Sequence, residues 1–199
     1  MEDGVEAARL GADAIGLVFY PRSPRRVTPE QARAILDALP PFVTRVGLFV
    51  DPDPAWVWTV LAALPLDLLQ FHGQEAADLC TAFDRPYIKA VQVRPDLDLA
   101  AFMAAHPRSQ GFLLDAWHPR VPGGSGARFD WNLFPRGAGR PLILAGGLGP
   151  DNVAEAIRRT RPWAVDVSSG VEAVRGVKDA AAMAAFMAGV RRAYSEDSD

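Results

Sequence analysis

Three short apolar runs in the second half of this 199-residue chain end in the same way. Gly111-Phe112-Leu113-Leu114 stops at Asp115. Leu142-Ile143-Leu144-Ala145 runs into Gly146-Gly147-Leu148, and Ala164-Val165-Asp166-Val167 into Ser168-Ser169-Gly170. A short apolar run bounded by turn residues reads as a strand buried on both faces. A carboxylate at the C-terminal end of such a strand sits where α/β barrels keep their catalytic groups. Glycine-rich loops after the last strands let backbone N–H groups approach an anion. Together the segments imply a phosphate-handling barrel with one acid poised over its ligand.

The rest of the chain repeats the strand-then-helix unit. Helices are expected from Gly4 to Leu10, from Thr28 to about Leu39, from Asp53, from about Gln74 to Phe83, and from roughly Leu97 to Ala105. A short turn near Asp130, a helix over Asp151 to Arg159 and a last one over Lys178 to Ala193 complete the helices. Thr28-Pro29-Glu30-Gln31 has the N-cap, N1 proline and N3 amide of a helix start. Strands are expected at Ala14–Phe19, Val43–Val50, Leu66–Phe71 and Tyr87–Val91, then before Asp115, at Leu142 and at Ala164. Seven strands alternating with helices signal consecutive βαβ units and a parallel sheet. The fold class read from this is α/β, a TIM (βα)8 barrel with its first strand, due before Gly4, missing. No linker divides the chain, so residues 1–194 read as one domain and 195–199 as a frayed tail. A doubly wound open sheet is disfavoured because no glycine-rich dinucleotide turn follows the first strand.

Composition narrows the function classes. Net charge is −3, which argues against a broad footprint for nucleic acid. No apolar run approaches the ~20 residues that span a bilayer, and the acidic start does not read as a signal peptide. One cysteine, Cys80, rules out an intrachain disulfide framework and suits a reducing cytoplasm. The three histidines lack metal-ligand spacing, so neither a metal nor a cofactor is expected.

At this point the residues match a family. The segments are Gly11-Ala12-Asp13-Ala14-Ile15-Gly16-Leu17-Val18-Phe19, Ser23-Pro24-Arg25, Arg45-Val46-Gly47-Leu48-Phe49-Val50, Gln70-Phe71-His72-Gly73, Leu113-Leu114-Asp115, Gly123-Gly124-Ser125-Gly126, Phe129-Asp130-Trp131, Ala145-Gly146-Gly147-Leu148 and Val165 to Glu172. In this order they resemble the phosphoribosylanthranilate isomerase family of tryptophan biosynthesis, from about Glu2 to Tyr194. That family also carries a first strand ending in Lys-(Ile/Phe)-Cys-Gly-(Ile/Leu)-Thr, whose cysteine is the general base. No segment here matches it; the chain opens on what resembles the helix just after that motif.

The resemblance implies an Amadori rearrangement, in which an aminoaldose becomes an aminoketose. The sugar ring oxygen must gain a proton, and carbon 2 of the resulting imine must lose one, so one acid and one base are needed. Asp115 matches the acid. Its position at a barrel strand's end fits, and desolvation there can hold a carboxyl protonated; a helix cap or loop staple is the plain alternative. Arg25 resembles the arginine that holds the anthranilate carboxylate, which suits a planar guanidinium, with Arg26 as bystander. Gly146, Gly147, Ser168, Ser169 and Gly170 resemble the phosphate cradle. Asp166, in the last strand, has either an orienting or a core role.

His72 ends a strand at the same face, as a substrate contact or a structural histidine. His106 and His118 read as surface-loop residues, and Cys80 as a buried residue on an outer helix. The loop Gly123–Gly126 reads either as a shield over the ligand or simply as a long connection. The implied partner is the small phosphosugar-anthranilate substrate, with neither nucleic acid nor membrane, in a monomer or homodimer. A second reading is a phosphosugar-binding barrel impaired in turnover because the cysteine strand is unmatched. An epimerase or an indole-forming synthase is a third, weakened by the lack of metal-ligand histidines and of the extra lysine and glutamate pattern.

Overall fold

The computed structural model describes residues 2–94, 96–116, 130–135 and 137–195. The loop Gly123–Gly126, His118 and residues 196–199 of the expected tail lie outside them; Ser195 ends the last helix. The chain divides into two compact units: Met1–Ala90 with Ala104–Gln110, and Val91–Met103 with Gly111–Asp199.

The first unit alternates α1 (Glu2–Leu10), β1 (Ala14–Val18), α2 (Pro29–Ala38), β2 (Thr44–Phe49), α3 (Pro54–Ala63), β3 (Leu68–Phe71) and α4 (Ala77–Thr81), reaching β4 (Tyr87–Val93). Its strands pair in parallel and in chain order. Helix starts follow the local chemistry. Thr28 Oγ1 accepts from the Gln31 amide while Gln31 Oε1 accepts from the Thr28 amide, a closed capping box over Pro29. Asp53 accepts from the Ala55 amide ahead of α3.

The two-residue alternation of strands then sorts the side chains. Leu17, Phe49, Leu69, Phe71 and Tyr87 pack with Val57, Val60, Cys80 and Phe83 from the helices. Aromatic rings just past β1, at the ends of β2 and β3 and at the start of β4 build a ladder through this layer: Phe19 to Phe49 at 5.5 Å, Phe49 to Phe71 at 6.2 Å, Phe71 to Tyr87 at 6.0 Å. The opposite face of the strands carries Gly16, Val18, Val46, Leu48, Gln70, Ile88 and Ala90. Helix α1 buries none of its residues.

After β4 comes α5 (Leu99–Ala105). The second unit then contains β5 (Phe112–Ala116), β6 (Leu142–Leu144), α6 (Val153–Thr160), β7 (Ala164–Val165) and α7 (Ala180–Ser195). β5, β6 and β7 pair in parallel in chain order, which makes seven parallel strands, four in the first set and three in the second. Helices α6 and α7 pack closely: a side chain on Gly189 would meet Val153 Cγ1 at 2.7 Å.

Several boundaries differ from the expectations for stated physical reasons. α4 begins at Ala77, not Gln74, because the backbone amides of residues 73 and 74 are already bonded to side chains: Gly73 N to the nearby Glu75, Gln74 N to Asp51 from the loop after β2. The strand ending in Asp166-Val167 stops at Val165, and Asp166 is exposed. The helix expected from Lys178 begins at Ala180. Lys178 instead belongs to an antiparallel hairpin, β8 (Glu172–Val174) and β9 (Val177–Lys178), turned by Gly176 at φ +89°. Asp179 accepts from the Ala182 amide and so caps α7.

Candidate active site

Each candidate residue lies at or beyond the C-terminal end of a parallel strand. In the first unit, Arg25 follows β1 in a loop closed by Val27 N donating to Val18 O. Its own amide donates to Ser23 Oγ, and it is half-buried. Arg26 is exposed and its guanidinium donates to Pro21 O, which ties the loop to itself. His72 follows β3, with its backbone N donating to Phe49 O.

Beneath His72 lies a buried ion pair that the sequence reading did not single out. Lys89 Nζ is 3.0 Å from Glu75 Oε2, with both side chains almost fully excluded from solvent. Lys89 Nζ also donates to Phe71 O, Gly73 O and Ala90 O. Glu75 accepts from the Asp51 and Gly73 amides. The pair therefore fastens the loops after β2 and β3 to β4. A signal was present: a lysine inside the apolar run Ile88-Lys89-Ala90-Val91 is rarely buried without a partner. The geometry could not be read from it.

Two further groups are structural. Cys80 on α4 is fully buried, and burial pushes its thiol up to about 12. A thiol at that value stays protonated near neutrality and does not serve as a base. His106, expected on a surface loop, is buried and meets the Tyr87 ring edge-on at 6.3 Å. Burial, then the nearby Lys89 charge, lowers its pKa.

In the second unit, Asp115 is 6% exposed at the end of β5, and its Oδ1 accepts from the Ala116 amide at 2.8 Å. Gly146 follows β6 and presses directly on it. A side chain at 146 would stand 2.9 Å from Asp115 Oδ1 and 2.4 Å from Ala116 N. Gly146 and Gly147 both have positive φ, at +81° and +67°. Gly170 meets Leu148 with no room for a Cβ, so the loops after β6 and β7 pack backbone to backbone.

Asn152, also overlooked in the sequence, staples the first of these loops. Its Oδ1 accepts from Gly149 N and its Nδ2 donates to Gly147 O. Lys178 steadies the second by donating to Ser168 O and pairing with Glu172. Ser168 precedes a 3₁₀ turn, Ser169–Val171. Two glycine-bearing loops are thus fixed beside the α6 N-terminus, where the helix dipole favours an anion.

Parallel strands with helices between them, a buried acid and rigid glycine loops at the strand ends define an α/β protein with the layout of a small-molecule enzyme. Comparison with known proteins narrows this. The model of the family described as N-(5'-phosphoribosyl)anthranilate (PRA) isomerase matches residues 1–188. An N-(5'-phosphoribosyl)anthranilate isomerase of Pseudomonas fluorescens strain Pf-5 is 58% identical over 192 residues, covering 96% of this chain and 91% of its own. The crystal structure of phosphoribosyl anthranilate isomerase from Thermotoga maritima superposes with a TM-score of 0.87 at 42% identity, over 96% of this chain and 94% of that one. A phosphoribosyl anthranilate isomerase in complex with reduced 1-(o-carboxyphenylamino)-1-deoxyribulose 5-phosphate gives 0.84 at 40% identity, over 96% and 93%. This chain belongs to the N-(5'-phosphoribosyl)anthranilate isomerase family.

Proposed function

We propose that this chain catalyses the aldose–ketose rearrangement of its family in tryptophan biosynthesis, with Asp115 as general acid. The acid donates a proton to the sugar ring oxygen as the bond from carbon 1 to that oxygen breaks. The anthranilate nitrogen supplies the electron pair that forms the imine. A base then removes the proton on carbon 2, and the enolamine collapses to the aminoketose. Cys80 is not that base. Arg25 holds the anthranilate carboxylate with its planar guanidinium, and His72 contacts the substrate. Gly146, Gly147, Ser168, Ser169 and Gly170 take the phosphate on backbone N–H groups. Asp166 is left without a role. The architecture we assign is the (βα)8 barrel as one domain, supported by the chain-ordered parallel strands with helices between them.

The observation that carries the reading is the buried Asp115 carboxylate at the β5 end, backed by Gly146. Asp115→Asn keeps the shape and removes the transferable proton. Turnover of N-(5'-phosphoribosyl)anthranilate should fall by about 10²–10⁴-fold, with KM changed little. A variant as active as the parent would remove Asp115 from the mechanism.

A further inference from the structure

Gln70 is a buried amide in an apolar place. It lies on the face of β3 opposite the aromatic ladder, with Leu48 and Ile88 as its neighbours on β2 and β4. It is 7% exposed. A primary amide there costs free energy unless it is hydrogen-bonded, whereas a leucine would cost nothing. Its side-chain nitrogen lies 3.1 Å from His72 Nδ1. With the amide nitrogen on that side, it donates and Nδ1 accepts. That arrangement leaves the ring proton on Nε2. The backbone beneath is held independently by the Glu75–Lys89 pair through Gly73 N, Gly73 O and Phe71 O.

We propose that Gln70 is a positioning residue that fixes His72 as its Nε2–H tautomer, so that the ring presents a hydrogen-bond donor to an acceptor oxygen of the substrate. The inference rests on the proposed substrate contact of His72. The other tautomer would offer a lone pair at that point and repel an anionic oxygen. An amide does this without adding charge; a carboxylate at position 70 would accept Nδ1–H and reverse the tautomer.

The test uses the full chain and two independent readouts. Nitrogen-15 NMR of imidazole-labelled protein should show His72 with Nδ1 bare and Nε2 protonated in the parent, and Nδ1 protonated in Gln70→Glu. In the steady-state assay, Gln70→Glu should raise KM by about tenfold or more, the loss of one hydrogen bond to a charged group, with a smaller effect on kcat. His72→Gln, whose amide nitrogen reaches near the Nε2 position, should recover most of the affinity in either Gln70 background, and His72→Asn should not. Gln70→Met, of similar length and apolar, controls for folding and should release the tautomer without inverting it.

A parent spectrum with Nδ1 protonated overturns the proposal. So does a Gln70→Glu variant that inverts the tautomer yet keeps its KM. A parent that turns over no substrate and binds no product analogue fails the functional reading instead, and the spectrum still decides whether Gln70 sets the tautomer.

Discussion

A methyl group at position 146 would stand 2.4 Å from the Ala116 amide nitrogen and 2.7 Å from the Ala116 side chain. The backbone there is also left-handed, which an L side chain adopts at a cost of roughly 1–2 kcal/mol. Gly146 is thus required twice, for its φ and for the closeness of β6 to the Asp115 carboxylate. Gly146→Ala should lower the melting temperature by several degrees and lower kcat as well, because relief of the clash must push on residues 115 and 116. Thermal unfolding and turnover on the same sample check this; a variant with unchanged kcat would show that Asp115 tolerates displacement. Residue chemistry also separates Arg25 from Arg26. Arg26 is exposed and donates to Pro21 O in its own loop, whereas Arg25 is half-buried.

At the scale of elements, the link between β2, β3 and β4 is electrostatic as well as apolar. One buried lysine and one buried glutamate collect two backbone amides and three backbone carbonyls, from the end of β3, the loops after β2 and β3, and β4 itself. Removing one partner leaves an uncompensated buried charge, so Lys89→Met should destabilise by about 3–5 kcal/mol. Glu75→Leu with Lys89→Met should recover part of that loss, because no charge remains buried, although the Asp51 and Gly73 amides lose their acceptor. Denaturant unfolding of the two single variants and the double variant gives the coupling. Additive losses would mean that the pair acts as two separate loop anchors. The same network explains why α4 is short: residues 73 to 75 are committed to it before a helical turn can form.

For the whole molecule, two buried titratable groups give stability an acid and an alkaline limb. The Cys80 thiol is raised from 9.0 to about 12 in the folded state. The folded chain holds that proton where the unfolded chain has lost it, so the contribution is complete below pH 9 and is lost as pH rises toward 12. His106 is shifted the other way, down from 6.5. Below that value the unfolded chain takes up a proton that the folded chain resists, so stability falls as pH drops through and below 6.5. Melting temperature measured from pH 5 to 11 should therefore decline at both ends. Cys80→Ala should lose stability near neutrality from its cavity yet decline less between pH 9 and 11 than the parent. Parallel curves for the two proteins would mean that the thiol does not contribute to the alkaline limb.

The sequence alone determined the alternation of strands and helices, the capped starts of α2 and α3, the parallel class, Asp115 at a strand end and Gly146 and Gly170 in the loops after strands. These are local matters: a two-residue or 3.6-residue period, a cap read within four residues, a glycine where a turn needs one. It carried the composition of the buried pair, Glu75 and Lys89, without saying that they meet. It also showed the dipeptide Arg175-Gly176 between two valines, but the hairpin there went unread because each arm is only two or three residues long. Only the tertiary structure decided the rest. A charge or amide can be buried only where partners from other strands arrive, and Asp51 and Glu75 are 24 positions apart. Gln70 became a candidate because Leu48 and Ile88 flank it, and the partners of the buried Cys80 are Val57, Phe71 and Tyr87 in its apolar cluster. Propensity is set by the neighbours along the chain, whereas desolvation is set by neighbours in space.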